Sequence, residues 1–352
     1  MMPPTEHRAY DRGAVQASPA LVSDLGRYFG ISSLSFLDTG SWNLAYEANA
    51  GMKQLFIKVL RPRSGHHVRS PQALEKIFLQ LSLRPAARTI TAVLPIAWPD
   101  GAFTRMFDDG TVMVFPFISG CEPFGANSAQ APPSRLLARA ARSLASFHAA
   151  TGLPPMPIAA EQDIPHVLGL AAWADQRERL FSDARARAFA SLTPGDTVDL
   201  EFAAVCAEAV AARLDAESSP CALVHGDYRA DNILFDLQRD RLVLVDFDLA
   251  RIGAVYEEVA YSALNFSGAR WLYPPAIWDR FWSFIDLYFA AVRCPVPESI
   301  LMWTTWVILK WVSLSFKGEQ IRLRTQLLRE MLSSAAAMAP AKKVLLPDFS
   351  RS

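Results

Sequence analysis

Leu223-Val-His-Gly-Asp-Tyr-Arg-Ala-Asp-Asn-Ile-Leu-Phe235 and, a few residues later, Leu244-Val-Asp-Phe-Asp248 decide how this chain is read. Leu223-Val224 is a short apolar run leading into a polar loop. Ile233-Leu-Phe235 is apolar and β-prone, Asp236-Leu-Gln-Arg-Asp240 is polar and turn-like, and Leu242-Val-Leu-Val245 is a continuous apolar strand. Asn232 therefore stands where one strand starts and Asp246 where the next one ends. A loop followed by a β-hairpin is able to bring Asp227, Asn232 and Asp246 together.

An Asp, an Asn five positions on, then an Asp-Phe pair after a short hairpin is the spacing of protein-kinase-like phosphotransferases. The chemistry explains it. One carboxylate accepts the proton of an attacking hydroxyl, while an amide oxygen and a second carboxylate hold Mg²⁺ against a triphosphate. His225-Gly-Asp227, in place of His-Arg-Asp, resembles the form found in the aminoglycoside phosphotransferase superfamily, which includes choline kinase-like and homoserine kinase type II-like enzymes. Ser143-Leu-Ala-Ser-Phe-His148 resembles that family's Leu-Ala-x-Leu-His helix end. Glu257-Glu-Val-Ala-Tyr261 resembles its Tyr-Asp-Leu-Ala stretch. The resemblance covers roughly residues 25–320 and is strongest at 223–261.

The resemblance implies an α+β, bilobal protein-kinase-like fold, with a small antiparallel-sheet N-lobe and a mainly helical C-lobe. It implies ATP- and Mg²⁺-dependent phosphorylation of a hydroxyl on a small molecule. Asp227 would be the catalytic base, and Asn232 and Asp246 the metal ligands. His225 would be structural, bonding backbone near the metal-binding Asp. Glu258 stands where the family has Asp, and a structural role is expected. His148 reads as a satisfied core histidine. Asp231 and Asp248 are left without a role.

Kinase-type transfer also needs a cation on the phosphates, held by a helix carboxylate. Lys58, in Leu55-Phe-Ile-Lys-Val59, has the form of the lysine strand. Glu75 is the only Glu between Lys58 and Glu122 and lies on a helix expected over 70–83, so the two are expected to pair. Asp38-Thr-Gly-Ser-Trp-Asn43 precedes the lysine strand and offers backbone N–H groups at a turn. Gly40 and Ser41 are its candidate phosphate contacts. Pro116-Phe-Ile-Ser-Gly120 is the expected hinge, with Phe117 and Ile118 as adenine contacts. His66-His67 lacks nearby carboxylates or thiols, so no metal role is assigned.

The domains are expected as a disordered N-terminus over 1–20, an N-lobe over 21–118, a C-lobe over 119–340 and a tail over 341–352. Within the N-lobe the expected order is three strands over 34–60, the helix, then strands over 89–98 and 111–117. Helices are expected over 21–29, 134–150, 171–190 and 199–217.

At 352 residues, 51% hydrophobic and 20% charged, the chain is long enough for two lobes and a large core. Lys+Arg and Asp+Glu are both 35, so the formal charge is zero, and a nucleic-acid partner is not expected. Cys121, Cys206, Cys221 and Cys294 are dispersed and read as free thiols in a reducing cytosol. The N-terminus has no apolar signal segment, which makes a cytoplasmic location the expectation. Residues 299–316 are nearly long enough to span a bilayer but carry Lys310, with tryptophans throughout, so a buried helix and no membrane partner are expected. The acceptor is expected to be homoserine-like or an amino alcohol, ahead of an aminoglycoside, because a polycation is best captured by a marked acidic excess. A non-catalytic nucleotide-binding pseudokinase is the competing class.

Overall fold

The computed structural model of the chain describes residues 17–39, 43–61, 70–83, 90–123, 134–153, 170–214, 219–236, 238–268 and 277–338. These form two compact units. The first holds the described residues up to 83 together with 93–119, and the second holds 90–92 and everything from 120 onward.

The first unit begins with α1 (Pro19–Phe29), two residues before the ordered chain was expected to start. Ser18 explains the early start. Its hydroxyl accepts the Leu21 N–H at 3.2 Å, and its own N–H donates to the Asp109 carboxylate at 3.2 Å. Strands β1 (Ser33–Thr39), β2 (Asn43–Ala50) and β3 (Lys53–Leu60) follow as an antiparallel meander. Helix α2 (Pro71–Ser82) comes next, capped by Ser70, whose hydroxyl accepts from Ala73 N.

The strand expected over 89–98 shrinks to β4 (Ile90–Ala92), which pairs in parallel with a strand of the second unit. Pro95 has no N–H to donate to a ladder, and Pro99 closes the run. In compensation a strand unseen in the sequence, β5 (Arg105–Phe107), forms a hairpin with β6 (Gly110–Pro116). The first sheet is thus ordered β1-β2-β3-β6-β5.

Period-two alternation sorts its two faces. Leu55, Ile57 and Val59 of β3, with Val112 and Val114 of β6, bury against Leu21 and Leu25 of α1 and against Trp98. Phe56 and Lys58 point the other way. Phe56 meets Phe115, and Phe115 meets Phe78 of α2, so Lys58 belongs to the face that α2 covers.

The second unit carries two small sheets and the remaining helices. One sheet is ordered β4-β11-β10-β7, from β7 (Cys121–Pro123), β10 (Ile233–Asp236) and β11 (Arg241–Leu244). The other is β12-β9-β8, from β8 (Gly152–Leu153), β9 (Cys221–Val224) and β12 (Arg251–Ala254). Helices α3 (Ser134–Thr151), α4 (Leu170–Ala188), α5 (Pro194–Leu214), α6 (Val255–Phe266), α7 (Trp278–Val292), α8 (Ile300–Ser313) and α9 (Gly318–Met338) surround them. Helix α8 is buried on nearly every side by α4, α5, α6 and α9, which explains its hydrophobic run. Among the described residues no helix is long and apolar enough to cross a membrane.

Candidate active site

Strand β9 delivers the chain into His225-Gly226-Asp227, and three contacts fix the loop. His225 Nε2 donates to the Val245 carbonyl at 2.9 Å, and its Nδ1 accepts the Asp227 N–H at 3.3 Å. The Glu258 carboxylate accepts the N–H groups of His225, at 3.0 Å, and Gly226, at 2.5 Å. Gly226 sits at φ +80°, and a Cβ there would lie 2.0 Å from the Leu249 carbonyl oxygen. Only glycine lets these two backbone segments approach so closely.

The Asp227 carboxylate is gripped from both sides. Its Oδ1 accepts from the Tyr261 hydroxyl. Its Oδ2 accepts from Asn232 Nδ2 at 2.7 Å and lies 3.2 Å from Arg229 Nε. Asn232 Nδ2 also donates to the Asp227 carbonyl at 2.9 Å, so both donors of that amide are committed to Asp227 and its Oδ1 carries the remaining lone pairs. The Asn232 carbonyl accepts the Val245 N–H at 3.1 Å, which ties the start of β10 to the end of β11. Asp246 follows at φ +67°, ψ +65°, a left-handed conformation that is costly for a residue with a side chain. Burial acts against the Arg229 charge, yet the nearby carboxylates, Asp227 foremost and then Asp231 and Asp246, outweigh it and hold the guanidinium protonated. The hairpin thus gathers Asp227, Asn232 and Asp246 at one end of the second unit.

Among the described residues no three His, Cys, Asp or Glu side chains cluster to form a protein-only metal cage. The Asn232 amide oxygen and the Asp246 carboxylate are both hard oxygen donors. Two such ligands suit Mg²⁺, which retains waters and takes phosphate oxygens as further ligands.

Helix α6 supports this loop. Glu258 also receives His148 Nε2 at 2.7 Å, while His148 Nδ1 meets the Tyr288 hydroxyl at 2.8 Å. His148 is thus a buried, satisfied histidine. Glu257 is bonded by Arg251 and by Lys310 Nζ, the latter at 3.2 Å. Tyr261 and Arg229 were not singled out from the sequence as contacts of Asp227. The only available signal was that Tyr261 follows Glu258 by three residues and so shares its helix face.

In the first unit, Lys58 is 5% exposed on β3. Glu75, on α2, accepts both the N–H of Thr104 and its hydroxyl, the latter at 2.8 Å. The Phe117 N–H donates to the Gln54 carbonyl at 3.2 Å, and Phe117 and Ile118 are half-buried. Gly40, Ser41 and the His66-His67 loop lie outside the described residues.

The family model described as the phosphotransferase enzyme family, APH, matches residues 59–293, well over half of the chain. The chain belongs to that family. This phosphotransferase also has the kinase-like fold of several solved structures. The microcompartment-associated aminopropanol kinase is 18% identical, with a TM-score of 0.59, covering 91% of this chain and 98% of its own. An amicoumacin kinase determined with AMP-PNP and Ca²⁺ is 12% identical, with a TM-score of 0.61, covering 92% and 94%. The choline kinase of Streptococcus pneumoniae is 15% identical, with a TM-score of 0.57, covering 90% and 98%. Comparison with curated protein sequences returns no match.

Proposed function

We propose that this phosphotransferase moves the γ-phosphoryl group of ATP to a hydroxyl of a small molecule, using Mg²⁺. The observation that carries this reading is the convergence of Asp227, Asn232 and Asp246 at one hairpin end. Asp227 accepts the proton of the acceptor hydroxyl as its oxygen attacks the phosphorus. Asn232 and Asp246 hold the cation, which when bound neutralises charge on the β- and γ-phosphates. In the first unit, Lys58 binds phosphate and Glu75 orients Lys58. Gly40 and Ser41 supply a phosphate turn, and Phe117 and Ile118 receive the adenine. Direct transfer needs no enzyme nucleophile.

The acceptor reading favours a small amino alcohol or homoserine-like molecule over an aminoglycoside. A polycationic substrate needs carboxylates to spare. Among the described residues, three acids of this region are already paired: Glu257 with Arg251 and Lys310, Glu258 with His148 and two backbone N–H groups, and Asp231 with Arg229.

The test is ADP formation from Mg-ATP against a panel of amino alcohols, amino acids, sugars and aminoglycosides, with product mass confirmed. The expected result is transfer to an amino alcohol or hydroxy amino acid. Phosphorylated kanamycin as the dominant product would overturn the acceptor reading. Nucleotide binding without transfer to anything in the panel would overturn the catalytic reading in favour of a pseudokinase.

A further inference from the structure

We propose that Tyr261 is a positioning residue of the transfer reaction, acting through Asp227. The proposal rests on the reading of Asp227 as the base. A carboxylate held by one oxygen can still turn about its terminal torsion, which is broad and nearly two-fold. Asn232 and Arg229 approach only Oδ2. The Tyr261 hydroxyl is the donor on Oδ1 and completes the grip.

The placement of Tyr261 makes that grip rigid. Glu258 holds the loop backbone at His225 and Gly226, and Tyr261 stands one turn further along the same helix. Helix α6 therefore fixes both the loop backbone and the side chain of the base. Helix α8 braces α6 from behind. The Trp311 ring meets Tyr261 edge-on at 5.8 Å, and Lys310 bonds Glu257, one turn before Tyr261. Burial first, and the Asp227 charge second, keep the Tyr261 phenol protonated far above its ordinary range. It thus remains a donor and does not take the substrate proton. Preorganised groups of this kind, locked by packing and hydrogen bonds, set the precision of a reactive geometry.

Tyr261→Phe keeps the ring against Trp311 and removes only the donor. The assay is transfer from Mg-ATP to whichever of 1-amino-2-propanol, ethanolamine, choline or homoserine turns over fastest. A hydrogen bond to a charged group has a worth that corresponds to a fall in kcat of about ten-fold or more, and the KM for Mg-ATP should be unchanged. In an Asp227→Ala background the same substitution should have no further effect, because the residue it acts through is gone. Near wild-type turnover of Tyr261→Phe would overturn the proposal. So would an equal fold-loss in the Asp227→Ala background, which is the mark of a structural role. The underlying reading fails separately, and takes the proposal with it, if the wild type transfers no phosphate or if Asp227→Ala alone leaves turnover intact.

Discussion

Glu258 Oε2 lies 2.7 Å from Nε2 of His148, joining α6 to α3 through a buried contact. The same carboxylate receives two backbone N–H groups of the 225–227 loop, so this one acid ties two helices' packing to the position of Asp227.

Removing that acid should be expensive. Glu258→Ala strands two backbone donors and a buried imidazole, and we expect a loss of about 3–5 kcal/mol, read from urea unfolding. Burial alone would raise the Glu258 pKa, but the His148 contact, His225 and the Gly226 N–H outweigh it and hold it below the ordinary glutamate value. A carboxylate depressed in the folded state contributes stability that is present above its unfolded pKa and lost as pH falls through the folded one. The wild type should therefore lose stability below about pH 4.5, and Glu258→Gln should flatten that slope. An unchanged acid limb would refute the assignment.

The Arg251–Glu257–Lys310 group carries two cations for one buried acid. Burial pulls Lys310 down to about 8, against the attraction of Glu257. Between that value and the unfolded lysine pKa of about 10.4, the unfolded state holds more protons, so stability from this residue rises with pH. Comparing unfolding at pH 7.5 and 9.5, the wild type should gain relative to Lys310→Met. Lys310→Met itself should cost about 1 kcal/mol or less, since Arg251 still neutralises Glu257. Glu257→Gln should cost about 3 kcal/mol, because two buried cations lose their counter-ion.

Two carboxylates should separate by kinetics. Asp227→Ala is expected to lower kcat by roughly 10²–10⁴-fold with little change in nucleotide affinity. Asp246→Asn is expected to weaken Mg²⁺-dependent nucleotide binding, measured by calorimetry with and without EDTA. If the two variants behave alike, the division between base and metal ligand is wrong.

Gly226→Ala tests the close approach of the loop to Leu249. The new Cβ meets backbone and the φ is left-handed, so neither side is able to yield cheaply. A loss of about 2–3 kcal/mol, seen as a lowered Tm, is the expected outcome. A variant as stable as wild type would show that the loop relaxes.

Local sequence determined the hairpin end that gathers Asp227, Asn232 and Asp246. The apolar runs 233–235 and 242–245, with a polar turn between them, specify a hairpin locally, and that hairpin places Asn232 beside the end of the strand that precedes Asp246. Helices over 70–83 and 134–150 were legible because apolar spacing, and for the first a Ser cap, act within a turn or two. Strand β5 was not, because a three-residue strand has no periodicity of its own, and the extent of β4 was not, because its partner, β11, lies more than 140 residues away. Only tertiary structure decided what holds Asp227. Tyr261 is 34 residues distant and reaches it because α6 packs beside β9. His148, 110 residues from Glu258, meets it across α3 and α6. Nothing local to a Tyr or a His states which carboxylate it will serve. Side-chain hydrogen bonds are set by where helices pack, and packing is a property of the whole core.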